Sequence, residues 1–154
     1  MNKTFLTGML AAVAVGAISM GSAHAADTAA CLITKNNTNP FFVKMKEGAT
    51  AAAKSSGIKL SAYAGVKDGD AAPQITAIEN CVASGAKGIL ITASNDSVIP
   101  ALKKAREKGV LVIALDTPIG DKDAADMTFA TDNFQAGILI GQWAKATLGD
   151  KAKD

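Results

Sequence analysis

The chain has 154 residues, 49% of them hydrophobic and 19% charged, which is enough apolar material for one ordinary core. A formal charge of +2 gives no electrostatic footprint for nucleic acid or for a membrane surface. The one histidine, His24, falls in a leader expected to be removed, and a mature chain without histidine excludes Ser-His and Cys-His nucleophiles and every histidine-ligated metal.

That leader is residues 1–25. Lys3 supplies a positive start, Phe5 to Met20 is an apolar, Ala-rich run, and Ala23-His24-Ala25 puts small residues where a signal peptidase needs them. The pattern predicts a secretory signal peptide cleaved after Ala25. A membrane anchor fits less well, because the run is at the short end of a bilayer span and contains Gly8 and Gly16. No lipobox cysteine stands at the cleavage point, so the mature chain is expected to be free of the membrane. Export would place Cys31 and Cys81 in an oxidising compartment, where a disulfide can form. Their spacing is neither CxxC nor that of a zinc site, and a pair of buried small hydrophobes is the other reading. Both stay open.

The next stretch, Cys31-Leu32-Ile33, reads as a short apolar strand. It breaks into the polar run Thr34 to Asn39, after which Pro40 opens a helix with Phe41 and Phe42 on its first turn. Amides and aromatic rings therefore arrive together at the carboxyl end of a strand, the edge where open parallel α/β sheets hold small ligands. Amides pair with hydroxyls and a ring covers an apolar C–H face, so the combination suits a sugar. Phe42, Met45, Lys46, Ala49, Ala52 and Ala53 continue a helical stripe that Gly57 stops.

Leu60, Ala62 and Ala64 alternate with Ser61 and Tyr63 as a second strand. Asp68-Gly69-Asp70 is a turn whose second aspartate is expected to cap a helix over 71–84. A calcium loop is set aside here because no further ligands follow at the required offsets. Gly88 to Thr92 reads as a strand covered on both faces. A loop at Ser94-Asn95-Asp96 leads to a helix with Pro100 in its first turn, ending near Lys108-Gly109. Its basic run Lys103, Lys104, Arg106 and Lys108 reads as a solvated face. Val110 to Leu115 is a further strand with Asp116 at its carboxyl end, and Met127 to Ala130 a shorter one.

Strand and helix alternate throughout, which specifies an α/β fold: an open parallel sheet with right-handed crossovers and helices on both faces. Neither GxGxxG after the first strand nor GxxxxGK[ST] occurs, so a nucleotide-using enzyme is disfavoured and no cofactor or metal is expected. No paired acidic constellation stands on opposing strand ends to suggest hydrolysis.

Four candidate residues for ligand contact follow from the sequence. The Asn39 amide carries two donors and an acceptor, although it could serve only to prepare the Pro40 turn. Phe41 and Phe42, about 100° apart on a helix, cannot both face one sheet; one is expected to line the cleft and the other its rim, unless both are core. Asp116 can accept two charge-assisted bonds from adjacent hydroxyls, or can cap the turn through Thr117 and Pro118.

Asn39-Pro40-Phe41-Phe42 after the first strand, followed in order by Ala114 to Pro118 and by Ala130 to Gly137, resembles the N-terminal lobe of bacterial periplasmic sugar-binding proteins of the ribose/fructose/galactose type, the substrate receptors of ABC importers. The resemblance covers about Ala29 to the end of the chain. It implies the type I periplasmic binding protein fold, a non-enzymatic role in the periplasm, a monosaccharide ligand and a membrane permease as partner. It carries Asn39, Phe41, Phe42 and Asp116 to binding positions and Lys35 to the wall of the same cleft. In ribose-type receptors the aspartate is followed by a sugar-gripping arginine, where this chain has Thr117. That departure points away from ribose and toward a fructose-like sugar, with Thr117 in the ligand set.

The resemblance also divides the chain into a signal peptide (1–25), a sugar-binding lobe (26–131), and a hinge with the first helix of a second lobe (132–154). Thr131 and Asp132 fall at the first crossing between lobes. The following helix, with Ile138, Leu139, Ile140, Trp143 and Ala144 as its apolar set, would be separated from the sheet it covers. The expectation is a receptor truncated by roughly half, lacking the second wall of its cleft. A sugar-responsive regulator's ligand core is the competing function, disfavoured by the leader and by the lack of a helix-turn-helix ahead of the first strand.

Overall fold

The computed structural model describes residues 28–149 and 151. The signal-peptide reading, with His24, lies outside the described residues. Five strands and four helices follow in order: β1 (Ala29–Thr34), α1 (Pro40–Ser55), β2 (Lys59–Ala64), α2 (Ala72–Ala83), β3 (Gly88–Ile91), α3 (Ile99–Glu107), β4 (Leu111–Asp116), β5 (Met127–Ala130) and α4 (Asn133–Leu148). Single 3₁₀ turns at Asp96–Val98 and Lys122–Ala124 precede α3 and β5.

All strands pair in parallel, in the order β2-β1-β3-β4-β5. The chain runs outward from β1 to β2 and then returns across β1 to build the other side, so the order reverses between β1 and β3. At such a reversal the crossovers leave in opposite directions and open a crevice beyond the strand ends.

Alternation along the strands decides which side chains meet which helix. Cys31, Ile33, Ile89, Ile91 and Val112 are buried on one face, packed against Ile78 of α2 and Leu102 of α3. The opposite face is covered only in part. Leu32 and Phe42 are buried where α1 lies over β1 and β2, but Leu111, Met127 and Phe129 toward the far edge remain at least half exposed. β3 was expected to be covered on both faces; Ile89 and Ile91 are buried, while Leu90 is only half-buried. The reason is positional, since α1 packs mainly over β1 and β2. α4 has no buried residue, and Phe134, Leu139, Ile140 and Trp143 all stand in the open.

Of the two cysteine readings, the structure takes the bridge. Cys31 of β1 and Cys81 of α2 are disulfide-bonded, with a Cα separation of 6.3 Å and both side chains buried. The residue expected to cap α2 sits one place early: Ala71 is the N-cap and makes no side-chain cap, while Asp70 Oδ1 accepts from Ala72 N. The basic run of α3 lies on a solvated face, with Lys104 and Lys108 exposed. Lys103 pairs with Asp121 at 2.6 Å, and Arg106 forks onto Asp126 Oδ1 at 2.6 and 3.0 Å, so two of its cations tie the helix to the segment leading into β5.

Candidate functional site

The rim lies beyond the carboxyl ends of β1, β3 and β4. Asn36, buried in the middle of the polar run, shapes its first loop. Its Oδ1 accepts from the backbone N–H of Thr38 at 3.1 Å and of Asn39 at 2.8 Å, and its Nδ2 donates to Asp68 Oδ1 at 2.6 Å. One amide thus turns the chain into α1 and fastens it to the loop after β2. Nothing in the sequence distinguishes Asn36 from Asn37 beside it, because only the tertiary position makes one buried and the other exposed.

Asn39 is the N-cap of α1, its Oδ1 accepting from Phe41 N at 2.9 Å. The turn-preparing reading therefore describes the carbonyl half of its amide. The Nδ2 half has no partner among the described residues and remains available to a hydroxyl. Phe41 and Phe42 meet edge to face, with ring centroids 5.3 Å apart. Phe42 is 4% exposed and lines a recess on the β2 side with Leu32 and Thr34; Phe41 is 52% exposed and lines a different depression. Phe42 thus seats Phe41 and does not share its depression.

Phe41 and Asp116 line one open depression of about 360 Å³, together with Met45, Leu115, Phe129 and Thr131. Asp116 is the only non-glycine residue with positive φ among the described residues, at 65°. Thr117 N donates back to Leu115 O at 2.7 Å, closing a γ-turn about Asp116. A γ-turn of this sign is strained for a residue with a Cβ, and such strain concentrates at functional positions.

Lys35 completes the cluster. Its Nζ donates to Thr117 Oγ1 at 2.9 Å and lies 3.7 Å from Asp116 Oδ2, and the Thr117 hydroxyl donates to that same oxygen at 3.1 Å. One carboxylate oxygen is thereby held from two sides, while Oδ1 has no partner among the described residues. The Lys35 backbone N–H donates to Thr92 Oγ1 at 3.0 Å, so β3 sets where the lysine starts. Thr92 was not singled out from the sequence. Asp132 caps α4 through Gln135 N at 2.9 Å, and Thr131 borders the depression. Among the described residues no cluster of His, Cys, Asp or Glu could hold a metal, and no helix is long and apolar enough to cross a membrane.

A family model for a periplasmic binding protein domain matches residues 30–154. The ribose import binding protein of Haemophilus influenzae is 34% identical over 149 residues, covering 96% of this chain and 50% of that protein. The D-apiose import binding protein of Paraburkholderia graminis is 32% identical over 132 residues, covering 85% of this chain and 41% of the relative. Among solved structures, an ABC transporter periplasmic solute binding protein of Actinobacillus succinogenes with bound D-allose superposes with a TM-score of 0.72 at 26% identity, over 80% of this chain and 46% of that one. A sugar transporter from Clostridium phytofermentans gives 0.69 at 33% identity, over 77% and 45%. The chain spans about half the length of the curated relatives it matches.

Proposed function

From the premise that the chain belongs to the periplasmic binding protein domain family, we propose that it binds a monosaccharide at the rim depression as part of the solute-binding component of an ABC sugar importer. The observation that carries this is the joint lining of one depression by the Phe41 ring and the strained Asp116 carboxylate at the sheet's carboxyl edge. Binding of this kind needs no catalytic group or cofactor.

Each residue then has a role its surroundings allow. Phe41 covers the apolar face of the sugar, and Asn39 Nδ2 donates to a hydroxyl. Asp116 Oδ1 accepts from adjacent hydroxyls through charge-assisted bonds. Lys35 and Thr117 hold the other carboxylate oxygen, and Phe42 supports Phe41 from behind. Thr131 and Asp132 act as the hinge toward a second wall, whose closure would sequester the sugar. The loaded receptor works in the periplasm and delivers to a membrane permease. Thr117 supplies a hydroxyl where ribose-type receptors place an arginine, which favours a fructose-like ketose over the ribose, apiose and allose of the relatives' names.

The test is an NMR titration of the isotope-labelled exported chain with fructose, ribose, allose, apiose and arabinose. Saturable shifts confined to Asn39, Phe41, Asp116 and Thr117, at the lowest concentration for fructose, are expected. Absence of saturation with every sugar overturns the sugar reading, and a tighter fit to ribose overturns the ketose preference alone.

A further inference from the structure

Gln74, in the first turn of α2, is fully buried at 0% exposure and uses its amide at a place where the sheet comes apart. The β1–β3 pairing ends at Ile33 opposite Ile91, with one last ladder bond from Thr92 N to Ile33 O at 2.9 Å. Beyond it the strands diverge toward the crevice. Into that gap Gln74 Nε2 donates to Thr34 O at 3.1 Å and to Thr92 O at 2.9 Å, while its Oε1 accepts from Ser94 N at 2.8 Å. Two carbonyls on one side and an N–H on the other allow only one orientation of the amide.

We propose that Gln74 is a positioning residue for the sugar site: it fixes the diverging ends of β1 and β3 so that the Lys35 ammonium meets Thr117 and Asp116. The assignment rests on the sugar-site reading above. The links are continuous. Gln74 holds the carbonyls of Thr34 and Thr92, Thr92 Oγ1 holds the Lys35 N–H, and the Lys35 side chain reaches across β3 to Thr117 Oγ1 and the Asp116 carboxylate. Packing alone gives no reason for a polar group here, since Cys31, Ile33, Ile89 and Ile91 already fill the sheet beneath. An apolar side chain of equal length would pack there but would leave Thr92 O and Ser94 N without partners and Thr34 O with the Gly65 N–H alone.

Gln74→Met keeps the length and removes all three bonds. Its amide hydrogen exchange at Lys35 and Ser94 is expected to quicken at least about tenfold relative to Ile33 and Ile91, with sugar affinity falling by about the same factor, as for a lost buried hydrogen bond. Gln74→Glu retains the acceptor for Ser94 N, but at neutral pH turns an anion toward two carbonyls. Acidification returns a proton to the introduced carboxyl and one donor with it, so affinity should partly recover on acidification in this variant and not in the parent. Wild-type affinity in Gln74→Met overturns the assignment, as does equal acceleration of all four amides, which marks a residue of global stability only. If Gln74→Met does not fold, Thr92→Val removes the link to Lys35 N alone, and unchanged affinity there has the same overturning force. A parent chain that binds no sugar sinks the sugar-site reading instead, and the exchange pattern then decides the role of Gln74 by itself.

Discussion

Lys35 and Asp116 form an ion pair at 3.7 Å across a strand that belongs to neither of them. Lys35 follows β1, Asp116 ends β4, and β3 lies between. The pair is partly open to solvent, so its contribution to stability is small. Its effect is geometric: it holds Asp116 Oδ2 and leaves Oδ1 without a partner among the described residues.

Replacing Asp116 separates strain from binding. Asp116→Ala and Asp116→Gly both remove the carboxylate and should weaken sugar binding by on the order of 1.5–3 kcal/mol, the range for hydrogen bonds to a charged group. Only glycine adopts a φ of 65° without strain, so Asp116→Gly should be the more stable of the two by about 1 kcal/mol. Urea unfolding of the two variants measures the difference and calorimetry the loss of binding. Equal stability would show that the turn relaxes around alanine.

The Cys31–Cys81 bridge closes a loop over a separation of 50 residues. In the chain-entropy picture a loop of that length stabilises the fold by about 4 kcal/mol. Denaturant unfolding with and without a thiol reductant should show most of that difference, and a gap below about 1 kcal/mol would contradict the entropic account.

Acid should loosen α3 from the segment before β5. The side-chain bond from Arg106, and then the backbone N–H of Val112, hold the Asp126 carboxyl below the usual carboxylate range; Lys103 does the same for Asp121. A depressed folded pKa contributes stability that is complete above the unfolded value of about 3.9 and is lost as pH falls through the folded value. Acid titration followed by circular dichroism should therefore show stability falling below about pH 4, and Asp126→Asn should flatten that fall.

Gly65 admits no side chain, because a Cβ there would run into the carbonyl oxygen of Lys35. Gly65→Ala should destabilise by about 1–3 kcal/mol, as overpacking does, and shift the Lys35 amide resonance. A neutral result in urea would mean that the loop after β2 yields freely.

Trp143, the single tryptophan, is 62% exposed on α4. Its fluorescence should be quenched by acrylamide almost as readily in the folded chain as in urea. Strong protection in dilute solution would show that α4 is covered.

Much of the fold was legible because parallel α/β architecture is written in local periods. Apolar runs such as Cys31 to Ile33 and Gly88 to Ile91, separated by helical stripes and broken at glycines, specify both the elements and their alternation. The location of the candidate site was legible for the same reason, since Asn39, Phe41 and Asp116 all follow predicted strands at one end. The division of labour between Phe41 and Phe42 was only half legible: helical spacing says that they diverge, and only the position of α1 over β1 and β2 says which one is buried.

What the sequence by itself determined is therefore the order and kind of the elements and the edge at which polar groups and rings collect. Those properties depend on neighbours within a few residues. Only the tertiary structure decided that Cys31 bonds Cys81, that Lys35 reaches over β3 to Asp116, that Asp116 adopts a left-handed turn, and that Gln74 fills the gap between β1 and β3. Each of these joins groups brought together by crossovers between strands, or depends on a strain the surrounding fold must hold, and a one-dimensional pattern carries neither.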